Sequence, residues 1–369
     1  MKQLGLGRIP FLGTIHFFTP TLFFKDAVSR CVLEEVEMAR LICDRIEVYA
    51  ENRIGEMSTA ARPWSDFFDR VDPEKDVLIY HYSIGTDSLK QVVDHPVSKH
   101  VVYHGITPPA LVETFSPETA ALCKKGIEEF SLLNNFKTWA TNSEFLMKEL
   151  ESAETGIHKK WILPPFLVLD KWDDIRSESI LPSLPPQAKQ LLYVGRRNPS
   201  KNIEALVHIL AEIRKLGDYR LIIAGTGATP LYHLEIQNLI NSSGLQDCVR
   251  FIDEPSDQGL KYLYESSAAL VTTSLHEGFC VPLAEAMKLG VPAFAFPNSA
   301  LQQTLGSTSP ALIPGNAAES ARIIHAKLED EDSREKIVKV QYQQYLTRFS
   351  DPVAIGDYFR FFKSILNHD

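Results

Sequence analysis

The sequence predicts an α/β protein of two doubly wound domains, each a largely parallel sheet covered by helices. Short apolar runs alternate with longer amphipathic stretches along the chain, the pattern of stacked βα units. The 369 residues are too many for one ordinary domain of about 150 residues. The alternation halts in a proline-bearing stretch and then restarts without a sequence repeat. Two successive βαβ sets of this kind are expected to face each other across a cleft. Ligand then sits at the carboxyl ends of the strands.

The elements follow in order. Leu12 to Phe18 reads as a strand and Ala27 to Cys43 as a helix. A signal peptide over Ile9 to Phe24 is disfavoured, because that stretch contains Pro10, His16 and Pro20 and no small-residue cleavage site. Arg45 to Ala50, Val77 to Tyr82 and Lys99 to His104 read as strands, the last ending at Gly105. Glu118 to Asn134 is a helix, Thr138 to Thr141 a short strand and Glu144 to Ser152 a helix. Pro164, Pro165, Pro182, Pro185 and Pro186 mark a linker, since proline lacks a backbone donor and stiffens φ. The boundary is placed near Ser183, giving domains 1–182 and 183–349.

The second domain begins with a strand, Gln190 to Val194, and a helix, Asn202 to Lys215. Strands follow at Tyr219 to Ala224, Val249 to Ile252, Ala269 to Thr272 and Ala293 to Phe296. The helices between them are Tyr232 to Ser243, Gln258 to Glu265 and Pro282 to Leu289.

Composition narrows the function. Hydrophobic residues are 44% and charged residues 23%, which excludes a disordered or fibrous chain. The net charge of −9 lacks the basic field of a nucleic-acid binder. The acidity concentrates in the first domain, with about 20 basic against about 27 acidic residues in 1–182. A broad membrane-docking face is disfavoured there, leaving at most a weak peripheral contact through a local cluster. No apolar run reaches the roughly 18 residues of a membrane span. Five scattered cysteines without a CxxC fit a reducing cytoplasm.

Three stretches carry candidate chemistry. In Ser274-Leu-His-Glu-Gly-Phe-Cys-Val-Pro-Leu-Ala-Glu, Glu277 and Glu285 are eight positions apart around a helix start, with Pro282 in its first turn. The amides of Gly278 to Leu283 would line an anion site at that helix N-terminus, and Glu285 has the geometry to accept from a ribose diol. Two solvated glutamates would give the same spacing. In Tyr193-Val-Gly-Arg-Arg-Asn-Pro-Ser-Lys-Asn, a strand ends at Gly195, and Arg196 and Lys201 project from the next loop. A guanidinium and an ammonium suit a diphosphate, and equally suit water. Leu221-Ile-Ile-Ala-Gly-Thr-Gly lacks the third glycine of a nucleotide fingerprint, and a tight turn explains it as well.

Taken in this order, the segments resemble the retaining glycosyltransferases of family 4, which have the GT-B fold. The resemblance also runs through GLQDCVRFID, LKYLYESSAALVTTSLHEGFCVPLAEAMKLGVPAF and SALQQTLG, and more faintly through VYHGITPP, TNSEFLMKEL and PPFLVLDKW. It implies a metal-independent hexosyl transfer from a UDP- or GDP-sugar to a glycan, glycolipid or small-molecule acceptor. The nucleotide sugar is a substrate, and no cofactor is implied. Bacterial surface-polysaccharide or glycolipid acceptors are the commonest in the family. A cytoplasmic protein, with a peripheral place on the inner membrane face, is the matching expectation.

Residue by residue, the resemblance places Arg196 and Lys201 on the diphosphate and Glu285 on the ribose. Gly195, Gly225 and Leu283 lie around the nucleotide. It places Glu277, Gly278, Phe279 and Cys280 at the transferred sugar, and His104 near the reacting centre, with His81 a weaker candidate. The tail YQQYLTRFS…YFRFFKSIL resembles the closing helix, 350–369, that returns to the first domain. Three departures stand out: Lys25 and Cys280 occupy positions where glycine is usual, and Gln302-Gln303 replaces Pro-Glu. Asp330-Glu331-Asp332 lies in a charged helix run and reads as a solvated face. A GT-B nucleotide-sugar epimerase and a non-catalytic partner subunit are the alternatives.

Overall fold

A computed structural model of the chain describes residues 7–23, 26–55, 59–167, 169–181, 188–227 and 229–367. The chain forms two compact units. The first comprises Met1–Pro109, Glu118–Val168 and Ser350–Asp369, the second Ala110–Pro117 and Leu169–Phe349.

The first unit contains β1 (Ile15–Phe23), α1 (Ala27–Arg40), β2 (Ile46–Ile54), β3 (Arg62–Pro63), α2 (Phe67–Arg70) and β4 (Val77–Tyr82). It continues with α3 (Leu89–Asp94), β5 (Ser98–Tyr103), α4 (Pro117–Glu128), β6 (Thr138–Thr141), α5 (Glu144–Glu151) and β7 (Lys159–Ile162). The strands form one sheet in the order β3-β2-β1-β4-β5-β6-β7, and every pairing is parallel. Alternate side chains go to opposite faces. Ile15, Phe17, Val77 and Ile79 join the core beneath α1, while Phe18, Leu78, Tyr80 and Tyr82 join the core on the other face. The Asp26 carboxylate starts α1 by accepting from the Ser29 amide.

The second unit contains α6 (Lys171–Asp174), β8 (Lys189–Val194), α7 (Ile203–Ile213), β9 (Tyr219–Ala224), α8 (Pro230–Ser242) and β10 (Val249–Ile252). Then come α9 (Asp257–Glu265), β11 (Ala269–Thr272), α10 (Val281–Lys288), β12 (Ala293–Ala295), α11 (Leu301–Leu305), α12 (Ala317–Glu329) and α13 (Glu331–Arg348). Its parallel sheet runs β10-β9-β8-β11-β12. The winding reverses between β8 and β11, and doubly wound sheets bind ligands beyond the strand ends at such a switch point. The chain then returns to the first unit through α14 (Asp351–Leu366), whose Tyr358, Phe361, Phe362 and Ile365 enter the core beneath α1.

Several sequence expectations shift. The first strand starts at Ile15 and runs to Phe23, and the helix expected to reach Asn134 ends at Glu128. The edge strand β7 was not anticipated, because Lys159 and Lys160 interrupt the apolar pattern. Cations on an edge strand also discourage pairing with another chain.

The units divide at 168/169 and not at 182/183. Trp172 is buried and packs edge-on against Tyr264 at 6.2 Å. Lys261 Nζ donates to the carbonyls of Trp172 and Ile175 at 2.6 Å each, and Lys288 Nζ reaches Asp173 at 2.7 Å. The stretch after residue 168 is thus fastened to α9 and α10, which overrides the proline signal. Ser183, where the boundary was expected, and Lys25 lie outside the described residues.

Candidate active site

The site of the second unit grows from the ends of β8 and β11. After β8 the chain passes Gly195 (φ +152°), and after β9 it passes Gly225 (φ +129°). A Cβ on Gly225 would lie 2.4 Å from the Gly195 carbonyl oxygen, so two backbones cross there and only glycine fits. The open alternative for the Ala-Gly-Thr-Gly stretch is thereby narrowed: Gly225 makes a tight strand-end turn.

Sequence reading passed over Arg197. Arg197 is buried and donates through Nη1 to the Gly225 carbonyl at 2.8 Å and through Nη2 to Asp253 at 2.7 Å, with its guanidinium 5.1 Å from the Phe251 ring. It fastens the loop, whereas its neighbour Arg196 is exposed. Nothing in the sequence separates the two arginines except that alternate residues at a strand end point opposite ways.

The loops after β8 and β11 are stitched together. The Leu275 amide donates to the Ser200 carbonyl at 2.7 Å, Thr273 Oγ1 to the Asn202 carbonyl at 2.8 Å, and Asn202 Nδ2 to the Thr273 carbonyl at 3.2 Å. Across this seam Lys201 Nζ donates to Glu277 Oε1 at 2.7 Å. The resemblance implies Lys201 on a diphosphate and Glu277 at a sugar; the fold places their charged ends in contact. The Ser299 hydroxyl accepts from the Glu277 amide at 3.0 Å, and Thr304 Oγ1 donates to the Phe279 carbonyl at 2.6 Å. These bonds set the path of Gly278 and Phe279 into α10.

Cys280 caps α10 in the left-handed region, at φ 76° and ψ 78°. That backbone explains why glycine is usual there. The Cys280 thiol is buried, and burial, then the nearby Glu277, holds it well above the ordinary thiol range. Pro282 has no N–H, and the Leu283 amide donates to the Cys280 carbonyl at 3.1 Å. The amide row expected from Gly278 to Leu283 therefore loses its last two members, and the buried Leu283 is a core residue.

Glu285 is also buried, on the inner face of α10, and accepts from Tyr264 Oη at 2.8 Å. Tyr264, from α9, was likewise passed over: in the sequence it reads as one more apolar-face residue.

At the strand ends of the first unit the two histidines singled out from sequence meet. His81 Nδ1 and His104 Nε2 are 2.9 Å apart, and His104 Nδ1 lies 2.9 Å from Asn142 Oδ1. Burial lowers the His104 pKa to about 4, against smaller opposing effects of Asn142 and Asp26. Burial, then His104, holds His81 well below the usual histidine range.

Residues 177–344 match the family described as Glycosyl transferases group 1, a stretch that contains every site residue of the second unit. The O-antigen chain mannosyltransferase B of Escherichia coli is 29% identical over 147 residues, 39% of this chain and 38% of that protein. The GDP-mannose:cellobiosyl-diphosphopolyprenol alpha-mannosyltransferase of Xanthomonas oryzae pv. oryzae is 35% identical over 104 residues, 28% of this chain and 27% of that one. This chain thus spans well under half the length of these relatives. Among solved structures, Anabaena HepE in complex with UDP and glucose superposes with a TM-score of 0.73 at 16% identity, covering 95% of this chain and 100% of that one. A glycosyltransferase from Rickettsia africae gives 0.74 at 14%, covering 97% and 100%. The protein has the GT-B fold. The match to the group 1 model falls within its second unit.

Proposed function

We propose that the protein is a retaining, metal-independent glycosyltransferase that moves a hexosyl group from a UDP- or GDP-sugar to a glycan, glycolipid or small-molecule acceptor. The observation that supports this best is the contact between Lys201 and Glu277 at the β8/β11 switch point. One donor molecule, with phosphate and sugar covalently joined, would meet both residues at once.

The chemistry follows from charge. The bond between the anomeric carbon and the diphosphate oxygen breaks, and negative charge grows on the leaving nucleoside diphosphate. Arg196, Lys201 and the amides preceding Pro282 stabilise that charge. The acceptor hydroxyl forms the new bond from the leaving-group side, and its proton passes to the departing phosphate. Glu277 holds the sugar as Lys201 turns to the phosphate, and Glu285, oriented by Tyr264, takes the ribose. The first unit supplies the acceptor side, near His104. The cytoplasm, or the inner membrane face, is the matching place; no helix among the described residues is long and apolar enough to cross a membrane.

The test is transfer by the purified protein from GDP-mannose, UDP-glucose and related donors, with and without EDTA, the product anomer being read by NMR. Transfer with the donor's anomeric configuration kept, and unaffected by EDTA, is expected. Epimerised donor without acceptor, no turnover of any donor, or EDTA loss restored by Mg²⁺ would each overturn the reading.

A further inference from the structure

The two histidines of the first unit belong to a longer chain. Asn142 Nδ2 donates to the Leu163 carbonyl at 3.0 Å, which fixes the amide orientation and turns Oδ1 to His104. An amide oxygen only accepts, so His104 Nδ1 carries the proton. Burial keeps the His104 ring neutral, so its Nε2 is a lone pair and accepts from His81 Nδ1–H. His81 Nε2, now without a proton, points towards Glu35 Oε2 at 3.8 Å. His81 and Glu35 are fully buried, and His81 Nε2 and Glu35 Oε1 have no hydrogen-bond partner.

We propose that Asn142 and His81 are positioning residues that clamp the His104 ring through both nitrogens and hold it as the neutral Nδ1–H tautomer. This rests on the glycosyltransferase reading for its purpose. Positive charge develops on the sugar as the leaving group departs. A cationic imidazole nearby would oppose it, whereas a neutral ring committed at both nitrogens neither repels that charge nor exchanges protons with substrate.

The surroundings suit neutrality. Burial lowers both histidine pKa values and raises that of Glu35 to about 8. Among the described residues, the other titratable groups facing the chain are Asp26, acting on His104, and Tyr358 and Cys31, beside Glu35. Glu34 and Arg30 act on the same Cys31. Burial holds the Tyr358 and Cys31 groups in their protonated, uncharged forms.

Long-range ¹H–¹⁵N NMR of the full chain tests the clamp without any assay of activity. From pH 5 to 8, His104 and His81 should each show a bonded proton on Nδ1 and a bare Nε2. An Nε2–H tautomer or an imidazolium at His104 at pH 7 would overturn the proposal. Two variants test its purpose. N142A should admit the Nε2–H tautomer and lower kcat at least tenfold, with nucleoside diphosphate affinity in the second unit unchanged. N142D should shift the acid limb of the transfer rate to higher pH, because a carboxylate draws a proton onto His104. A pure Nδ1–H tautomer in N142A, or full transfer despite a changed one, refutes the positioning role. If the wild type transfers nothing but shows the expected tautomers, the clamp stands and the transferase reading falls.

Discussion

The strand ends of the two units carry opposite chemistry. In the second, charged groups meet at the surface of a stitched pair of loops: Arg196 is exposed, and Lys201 and Glu277 pair at 2.7 Å with side chains 21% and 13% accessible. In the first, His81 and Asn142 are buried, His104 is half-buried between them, and the three are bonded to one another. The difference teaches where charge is needed. A diphosphate, the ligand proposed for the second unit, asks for cations held in place beforehand, whereas buried groups bonded to one another favour their neutral forms.

The comparison breaks most visibly at Lys201 and Arg196. K201A or R196A should lower kcat/KM by about 10²–10³, the usual cost of one electrostatic donor at a developing anion. Steady-state kinetics checks this, with circular dichroism to confirm the fold. K201A should also lower stability slightly, since Glu277 is left half-buried and unpaired. Near-normal turnover in both variants would remove the diphosphate from this loop.

The buried carboxyl of the first unit gives the next effect. Glu35 titrates near its ordinary 4.5 when unfolded and at about 8 when folded. The native state therefore binds more protons between these values, and stability falls as pH rises through that window. His104, lowered from 6.5 to about 4, acts in the other direction: stability falls as pH drops from about 6.5 to 4. E35Q removes only the alkaline loss. Its Tm should exceed that of the wild type by several degrees at pH 8.5, at about 2–4 °C per kcal/mol, and by little at pH 5. Thermal unfolding across pH decides it, and parallel curves for the two proteins would count against a protonated Glu35.

How much of this could be read beforehand depends on what each residue type signals. The strands of both sheets show as short apolar runs, because a parallel sheet is buried on both faces. Lys201, Glu277 and Glu285 stand out only through the family resemblance, since their spacing alone fits solvated side chains equally well. Glu35 was not singled out, although a charge between Val32 and Val36 on the buried stripe of α1 is itself a signal. Asn142 carries none: an asparagine at a strand end is ordinary turn chemistry until Leu163 fixes its amide. Arg197 and Tyr264 were hidden because their roles depend on partners, Asp253 and Glu285, that only the tertiary fold brings near.

Tyr264 offers a smaller test of the charged side. Its hydroxyl is bonded to Glu285 at 2.8 Å within a buried helix face. Hydrogen bonds to charged groups contribute about 1.5–3 kcal/mol. Y264F should thus weaken nucleoside diphosphate binding roughly tenfold while sparing the Lys201–Glu277 pair. Calorimetric titration measures this, and an unchanged Kd would show that Glu285 holds its place without Tyr264.

The smallest effect is expected at Cys280, where two terms nearly cancel. An L-residue in the left-handed region costs about 1–2 kcal/mol, which glycine avoids. The same substitution removes a small buried side chain, at a cost of about 1 kcal/mol for a group of this size, and adds backbone freedom to the unfolded chain. C280G should therefore change the stability of the second unit by less than about 1 kcal/mol. C280V should lower it clearly, because a β-branched residue tolerates this backbone worst. Chemical denaturation of both variants separates the terms. Equal losses in C280G and C280V would mean that packing of the thiol, and not the backbone angle, decides what this turn accepts.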